Sequence, residues 1–262
     1  MVAAFAVFVD SHCHLDFPEL AADLDGILQR MDEQRVTHAL CVSVTLENQP
    51  QVLALARAHA NLFASAGVHP DYHDITEPTE DQLVGLAADP KVLAIGETGL
   101  DYFRLSGDLE WQRERFRVHI RAARRACKPL IVHTRAASED TIRILREEGA
   151  DAVGGVMHCF TETWDVAAAA LDLGFMISFS GIVTFKNAQA LRDVAQRVPE
   201  ASLLIETDSP YLAPVPFRGK TNEPAFVAHV AQGVSQVRGV PVERIGEVTT
   251  ANFFGLFKPA SA

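Results

Sequence analysis

The chain has 262 residues, of which 48% are hydrophobic and 22% charged, a composition typical of a globular protein with a sizeable core. Its formal net charge of −11 argues against a broad basic surface that holds nucleic acid without regard to sequence. No stretch of the sequence is long and apolar enough to predict a membrane span, so we expect no membrane partner.

Short apolar runs alternate with amphipathic stretches along the chain. The runs cover residues 5–9, 38–44, 62–68, 92–95, 129–132, 155–157, 175–179 and 203–205. Between them, apolar residues recur at helical spacing, for example at Leu24, Ile27, Leu28 and Met31. Such alternation predicts parallel strands joined by helical crossovers.

The number of repeated units predicts the architecture. Eight strand–helix units in about 250 residues match an α/β fold of the (β/α)8 TIM-barrel type. A doubly wound open sheet is the alternative, but no Gly-x-Gly-x-x-Gly pattern follows the first strand. We find no linker, low-complexity tract or internal repeat, so residues 1–262 are predicted to form a single domain.

Two histidines, His12 and His14, follow the first predicted strand with one residue between them. Side chains at positions i and i+2 of a strand share a face, so the two imidazoles are expected to project in the same direction. That arrangement can hold one metal ion between two nitrogens. A single His-x-His pair also arises by chance. Whether this pair binds metal therefore depends on the residues at the ends of the other strands.

Polar residues of metal-ligand type follow nearly every predicted strand. They are His69 after the third, Glu97 after the fourth, His133 after the fifth, His158 after the sixth, and Glu206 with Asp208 after the eighth. In a barrel these strand ends converge on one mouth, where active sites of this fold lie. Each residue taken singly has an ordinary structural explanation, such as a buried histidine or a turn aspartate. Together they predict a metal site, because clustered carboxylates resist ionisation unless a cation neutralises them.

The size of this donor set predicts two metal ions. Four of these imidazoles and two of these carboxylates already exceed what a single tetrahedral ion with an open position requires. They fit two neighbouring ions bridged by a carboxylate, and Glu97 is the natural bridge because its strand ends half-way round the barrel. Imidazole ligands favour Zn, Mn or Fe, whereas Mg prefers oxygen ligands, so the identity of the metal stays open.

Several sequence segments together resemble the signatures of the TatD family of metal-dependent deoxyribonucleases. The segments are DSHCHLD at 10–16, GETGLDY at 96–102, PLIVH at 129–133, MHCF at 157–160, ETDSPYL at 206–212 and TANF at 250–253. The resemblance implies a (β/α)8 barrel with a binuclear centre. It implies one ion on His12, His14 and Asp208, a second on His133 and His158, and Glu97 touching both.

The resemblance also implies hydrolysis of DNA phosphodiester bonds, typically from a 3′ end that is single-stranded or frayed. A metal-activated water would attack phosphorus, with Asp208 as the candidate general base and Glu97 as the bridging catalytic carboxylate. Glu206 is expected to orient a ligand from beneath. No obligate protein partner is evident in the sequence.

Substrate contacts are predicted at the mouth of the barrel. The phosphate-binding candidates are Arg104 after the fourth strand and Arg218 and Lys220 after the eighth, and His69 is expected either to contact substrate or to orient a ligand. Four aromatic residues near strand ends either stack on a base or pack within the rim: Tyr102, Phe103, Phe160 and Tyr211. The arginines at 113–125 are expected to form a solvated outer face.

The four cysteines contain no Cys-x-x-Cys pair. We expect them to be buried thiols of a reducing, cytoplasmic compartment. Cys13 and Cys159 flank predicted ligands but are expected to be core residues.

Two other functions remain open at this stage. The first keeps the binuclear site but cleaves a C–N or ester bond, as an amidohydrolase or deacylase of a small molecule or an aminoacyl-nucleic acid. Glu97 stands against a typical amidohydrolase, because related barrels commonly bridge their ions with a carboxylated lysine. The second is a non-catalytic barrel, in which a closed ligand set holds the metal for structure alone.

Overall fold

The computed structural model describes residues 6–73 and 75–258. Eight strands form one sheet in the order β1 to β8, and every neighbouring pair is parallel. The strands are β1 (Phe8–Cys13), β2 (Val36–Cys41), β3 (Leu62–Ala66), β4 (Val92–Asp101), β5 (Leu130–Arg135), β6 (Gly155–Met157), β7 (Phe175–Phe179) and β8 (Leu203–Ile205).

The sheet closes on itself between β1 and the segment that follows β8. The backbone N–H of Asp208 donates to the carbonyl of His12 at 2.9 Å, and the N–H of His14 donates to the carbonyl of Ser209 at 2.9 Å. A parallel bridge pairs Cys13 with Ser209. The predicted (β/α)8 barrel is therefore confirmed and the open sheet is excluded.

Helices fill the crossovers between the strands. They are α1 (Pro18–Ala21), α2 (Leu24–Glu33), α3 (Gln49–Ala58), α4 (Glu80–Ala87), α5 (Glu110–Ala126), α6 (Ser138–Glu147), α7 (Trp164–Asp172), α8 (Gln189–Arg197), α9 (Val227–Arg238) and α10 (Val242–Phe257). The predicted stripe of α2 faces the core, since Ile27 and Met31 are buried and Leu24 and Leu28 pack at its edge. None of the helices in the described ranges is both long and apolar enough to cross a membrane.

Strands β1 and β4 extend furthest beyond the ends expected from apolar runs. Strand β1 continues to Cys13 and so contains His12, while residue 5 of the predicted run lies outside the described residues. Strand β4 continues past Ile95 to Asp101, and all ten of its residues are buried. Hydropathy predicted too early an end for both strands, because their last residues include polar side chains that are buried at the mouth of the barrel.

Two surface assignments were wrong. Arg115 is buried rather than solvated: its Nε donates to Glu77 at 2.7 Å and its Nη1 donates to the carbonyl of His69 at 3.2 Å. Cys127 is exposed rather than buried, because it follows the end of α5 in a left-handed conformation with φ 52°. A charge-rich helix can thus turn one arginine inward when a loop offers it carbonyl oxygens.

A buried histidine on α5 holds the loop that follows β3. Nδ1–H of His119 donates to the carbonyl of Arg115 at 2.8 Å, and its Nε2 accepts the N–H of Val68 at 3.0 Å. Both nitrogens are satisfied only in the neutral ring. Burial lowers the pKa of His119 to about 4, against 6.5 for an ordinary histidine.

His119 is therefore expected to make the protein sensitive to acid. The unfolded chain takes up this proton near pH 6.5 and the folded chain only near pH 4, so the contribution of His119 to stability is complete above pH 6.5. It decreases as the pH falls toward 4, by up to about 3 kcal/mol in the free energy of unfolding. Urea unfolding between pH 7.5 and 4.5 should show a shallower pH dependence in His119→Gln than in the wild type. Equal slopes in the two proteins would contradict the assignment.

Candidate metal centre

The closure of the barrel brings the first three predicted ligands together. Nε2 of His12 lies 3.3 Å from Nε2 of His14. Oδ1 of Asp208 lies 3.6 Å from Nε2 of His14 and 3.8 Å from Nε2 of His12. Asp208 adopts a positive φ of 56°, a conformation that aspartate and asparagine tolerate better than most residues. The backbone thus turns this carboxylate toward β1 immediately after the eighth strand.

Glu97 lies between two groups of histidines and directs one oxygen at each. Its Oε2 is 3.3 Å from Nε2 of His12. Its Oε1 is 2.7 Å from Nε2 of His158 and 3.3 Å from Nδ1 of His133. The structure therefore brings all six predicted ligands into one cluster, with Glu97 at the position expected of a bridge. His69, predicted to bind substrate, joins the second group, with its Nε2 3.3 Å from Oε1 of Glu97.

Glycines allow the strands to approach closely around Glu97. Gly99 has a φ of 133°, and a Cβ there would collide with the carbonyl oxygen of His133. A Cβ on Gly67 would collide with the backbone of Gly96. The backbone can thus approach closely near Glu97, because Gly67, Gly96 and Gly99 carry no side chain where β3 and β5 pack against β4.

Each histidine ring has an inner nitrogen, which faces the centre, and an outer nitrogen, which faces away from it. In three of the histidines the outer nitrogen is hydrogen-bonded to an acceptor. Nδ1 of His14 faces the carbonyl of Val42 at 3.1 Å. Nδ1 of His158 faces Oε1 of Glu206 at 3.2 Å, and Nε2 of His133 faces Oδ2 of Asp101 at 3.1 Å. An oxygen of this kind only accepts, so the outer nitrogen carries the proton and the inner nitrogen of each neutral ring presents a lone pair to the centre.

The residues present fit divalent metal. Nε2 of His158 is buried and 2.7 Å from Oε1 of Glu97, yet this contact lacks hydrogen-bond geometry and the nitrogen has no other partner among the described residues. Converging lone pairs and carboxylate oxygens repel one another unless a cation lies between them. Three groups among the described residues have donor atoms close enough to share an ion: His12, His14 and Glu97; His12, His158 and Glu206; and His69, Glu97 and His133.

The electrostatics of the centre favour an ionised bridge. Burial opposes ionisation of Glu97, but positive charge on the surrounding imidazoles of His158, His69 and His12, when they are protonated in the metal-free centre, outweighs it and holds the pKa of Glu97 well below its usual value. Burial also opposes ionisation of Asp208, yet His14 and its neighbours lower the pKa of that carboxyl. Both carboxylates are therefore negatively charged and able to bind cations at neutral pH.

Carboxylates beneath the centre position its ligands. Glu206 accepts from Nδ1 of His158 at 3.2 Å and from the N–H of Cys159 at 2.7 Å. Asp10 accepts the N–H of Thr207 at 2.9 Å and the N–H of His12 at 3.2 Å, and so ties β1 to the segment that carries Asp208. Burial raises the pKa of Asp10 to about 8. Sequence reasoning missed this role, and its one signal was an aspartate two residues before the first histidine.

The predicted phosphate-binding cations have their contacts in the mouth loops. Arg104 is exposed, and its Nη1 lies 3.0 Å from Oδ2 of Asp71. The guanidinium of Arg218 stacks 3.5 Å from the ring centre of Phe185. Nζ of Lys220 lies 5.6 Å from the ring centre of Phe217. These three substrate assignments stay predictions.

The aromatic residues of the rim divide into two kinds. Phe160 is buried, and the hydroxyl of Tyr102 donates to Asp140 at 2.7 Å, so both pack within the protein. Phe103 and Tyr211 are 65% and 53% exposed. Tyr72, which sequence reasoning missed, is 38% exposed and lies beside His69, with ring centres 6.2 Å apart.

Comparison with known proteins settles the family. The family model described as TatD related DNase matches residues 9–258. The chain belongs to the TatD family. The protein YcfH of Escherichia coli K12, named an uncharacterized metal-dependent hydrolase, is 49% identical to this TatD-family chain over 252 residues, covering 95% of this chain and 95% of its own. YabD of Bacillus subtilis 168, with the same description, is 39% identical over 250 residues, covering 95% of this chain and 98% of its own.

Solved structures agree with this TatD assignment. The crystal structure of the TatD homologue YjjV from Escherichia coli K12 superposes with a TM-score of 0.87 at 32% identity, covering 96% of this chain and 98% of that one. A TatD family hydrolase from Entamoeba histolytica superposes with a TM-score of 0.86 at 23% identity, covering 97% of this chain and 99% of that one, and agrees in fold. This TatD-family chain is a metal-dependent hydrolase.

Proposed function

We propose that this metal-dependent hydrolase is a deoxyribonuclease that removes nucleotides from the 3′ ends of DNA with two divalent ions. The observation that carries the proposal is the placement of Glu97, whose two oxygens face separate groups of histidines. His12, His14 and Asp208 would hold one ion, and His133 and His158 the other. Zn, Mn and Mg are the candidate metals.

The residues of the centre then have distinct tasks. Two bound ions in such a site lower the pKa of water and neutralise charge on a phosphate. Asp208 accepts the proton of the attacking water, because it lies at the edge of the centre with 16% of its side chain exposed. Glu206 and Asp101 keep the rings of His158 and His133 in orientation.

Exposure of the centre favours catalysis over a purely structural metal. The side chains of His133 and Asp208 are 18% and 16% exposed, so the cluster faces solvent on one side. Structural metal sites are closed by protein ligands, whereas catalytic sites keep an open position. An open side is what a substrate and an attacking water require.

The rim of the mouth supports a substrate that carries bases. Tyr72, Phe103 and Tyr211 are exposed aromatic residues in three different loops around the centre. The guanidinium of Arg135 stacks 3.9 Å from the ring centre of Phe103. Aromatic residues stack on unpaired bases, at about 1–3 kcal/mol per base, which favours a single-stranded or frayed end over intact duplex.

The free cysteines support a cytoplasmic location. All four cysteines are free thiols, and Cys127 is exposed. An exposed free thiol is typical of proteins in a reducing compartment.

The proposal is tested by a substrate comparison with purified protein. The protein is stripped with a chelator and reloaded separately with Mg, Mn or Zn. It is then given single-stranded DNA, blunt duplex and a 3′-blocked oligonucleotide, beside a panel of amides and carboxylic esters. We expect release of nucleotides from free 3′ ends and none from the blocked oligonucleotide. Hydrolysis of an amide or ester, with no DNA cleavage by any metal form, would overturn the proposal in favour of an amidohydrolase or deacylase.

A further inference from the structure

His69 lies within the centre but differs from the other histidines in its hydrogen bonding. It follows β3, and its Nε2 is 3.3 Å from Oε1 of Glu97. Its ring centre is 4.6 Å from that of His133, and 15% of its side chain is exposed. By distance alone it belongs to a group that could share a metal ion with Glu97 and His133.

The outer nitrogen of His69 accepts a hydrogen bond where those of its neighbours donate. The backbone N–H of Asp71 donates to Nδ1 of His69 at 3.1 Å. A backbone N–H only donates, so Nδ1 uses its lone pair and the proton of the neutral ring is on Nε2. His69 therefore directs an N–H at the centre, whereas His14, His133 and His158 direct lone pairs.

The loop that carries His69 is fixed on several sides. The N–H of His69 donates to the carbonyl of Val44 at 2.9 Å, and its carbonyl accepts from Nη1 of Arg115 at 3.2 Å. The N–H of Val68 donates to the buried His119 at 3.0 Å. Arg115 and His119 both lie on α5, and Val44 follows β2, so two separate parts of the barrel hold the geometry between Asp71 and the imidazole.

His69 and Asp208 lie toward different oxygens of Glu97. Asp208 contacts His12 and His14, and His12 faces Oε2 of Glu97, whereas His69 faces Oε1. In a displacement at phosphorus, the attacking and leaving oxygens are roughly in line on opposite sides of the reacting atom. If Asp208 serves the attacking water, then a group opposite to it serves the leaving oxygen.

We propose that His69 is a catalytic hydrogen-bond donor and no metal ligand: its Nε2–H donates to the leaving oxygen of the substrate and stabilises the negative charge that develops there. The proposal rests on the hydrolase function proposed above. A fixed donor of this kind typically contributes about 10²–10³-fold to the rate. The contribution depends on the leaving group, because a weakly basic oxygen gains little from a donor.

The test measures metal binding and leaving-group dependence in His69→Ala, His69→Gln and His133→Ala. Metal content is determined by mass spectrometry after reloading and dialysis. We expect His69→Ala to retain metal at the wild-type level and His133→Ala to lose metal. His69→Gln restores an N–H near the position of Nε2 and is expected to recover part of the activity. Loss of metal from His69→Ala would show that the residue is a ligand and overturn the proposal.

Rates are measured on a series of aryl phosphodiesters whose phenolate leaving groups increase in basicity. Carboxylic esters of the same phenols are measured as well, in case phosphodiesters are not cleaved. For His69→Ala, kcat should fall about 10²-fold or more with the most basic leaving group and less than about tenfold with p-nitrophenolate. An equal loss across the series would assign His69 a merely structural role. Absence of DNA cleavage by the wild type would overturn the nuclease function, while the metal content and the leaving-group series would still decide the role of His69.

Discussion

Replacement of Glu97 by glutamine is expected to abolish metal binding and hydrolysis together. Glutamine keeps the size of the side chain but removes the negative charge that faces both groups of histidines. Because Glu97 places one oxygen against each group, its replacement removes the bridge from both ions. We expect activity to fall by at least about 10³-fold, more than loss of a single transition-state donor costs.

Two measurements separate this effect from misfolding. Metal content is determined directly, and the rise in melting temperature on adding Mn to chelated protein is compared with that of the wild type. Glu97→Gln should remain folded and show no such rise. Glu162→Gln is the matched control, since Glu162 is also a partly buried carboxylate near the centre. Burial raises the pKa of Glu162, and the charge of His133 lowers it. Normal metal content in Glu97→Gln would refute its assignment as the bridge.

Asp208→Asn is expected to lower kcat by about 10²–10⁴-fold, the range for loss of a general base. Asparagine is the sharpest choice because it matches aspartate in shape and tolerates the left-handed conformation at φ 56°. An alanine there would combine loss of the carboxylate with strain in the backbone that closes the barrel. Metal affinity should fall as well, because Asp208 contacts the pair of His12 and His14.

Metal at saturating concentration distinguishes the two roles of Asp208. If Asp208 acts only as a ligand, excess Mn restores the rate of Asp208→Asn. If it also acts as the general base, the rate stays low at saturating Mn. Asp165→Asn serves as the control, since Asp165 is an exposed residue at the first turn of α7, on the same end of the barrel. Full activity of Asp208→Asn without added metal would exclude both roles.

Sequence patterns could not predict which of several similar side chains are buried. Tyr102 and Phe160 occupy strand ends much as Phe103 does, yet only Phe103 is exposed. Arg115 belongs to a helix rich in charges, and its burial depends on carbonyl oxygens of the loop after β3. In each case the decisive neighbour comes from a distant part of the chain, and hydropathy carries no information about it.

The amino-acid sequence by itself determined the barrel and the convergence of its donor residues. Apolar runs that alternate with helical stripes require parallel strands, and parallel strands carry His12, Glu97 and His158 to the same end of the sheet. The tertiary structure decided which nitrogen of each imidazole faces that centre. His69 and His14 are the same residue type near strand ends, but a backbone N–H of Asp71 meets one and a carbonyl of Val42 meets the other. Those partners fix the proton position, and only the folded chain brings them within hydrogen-bond distance.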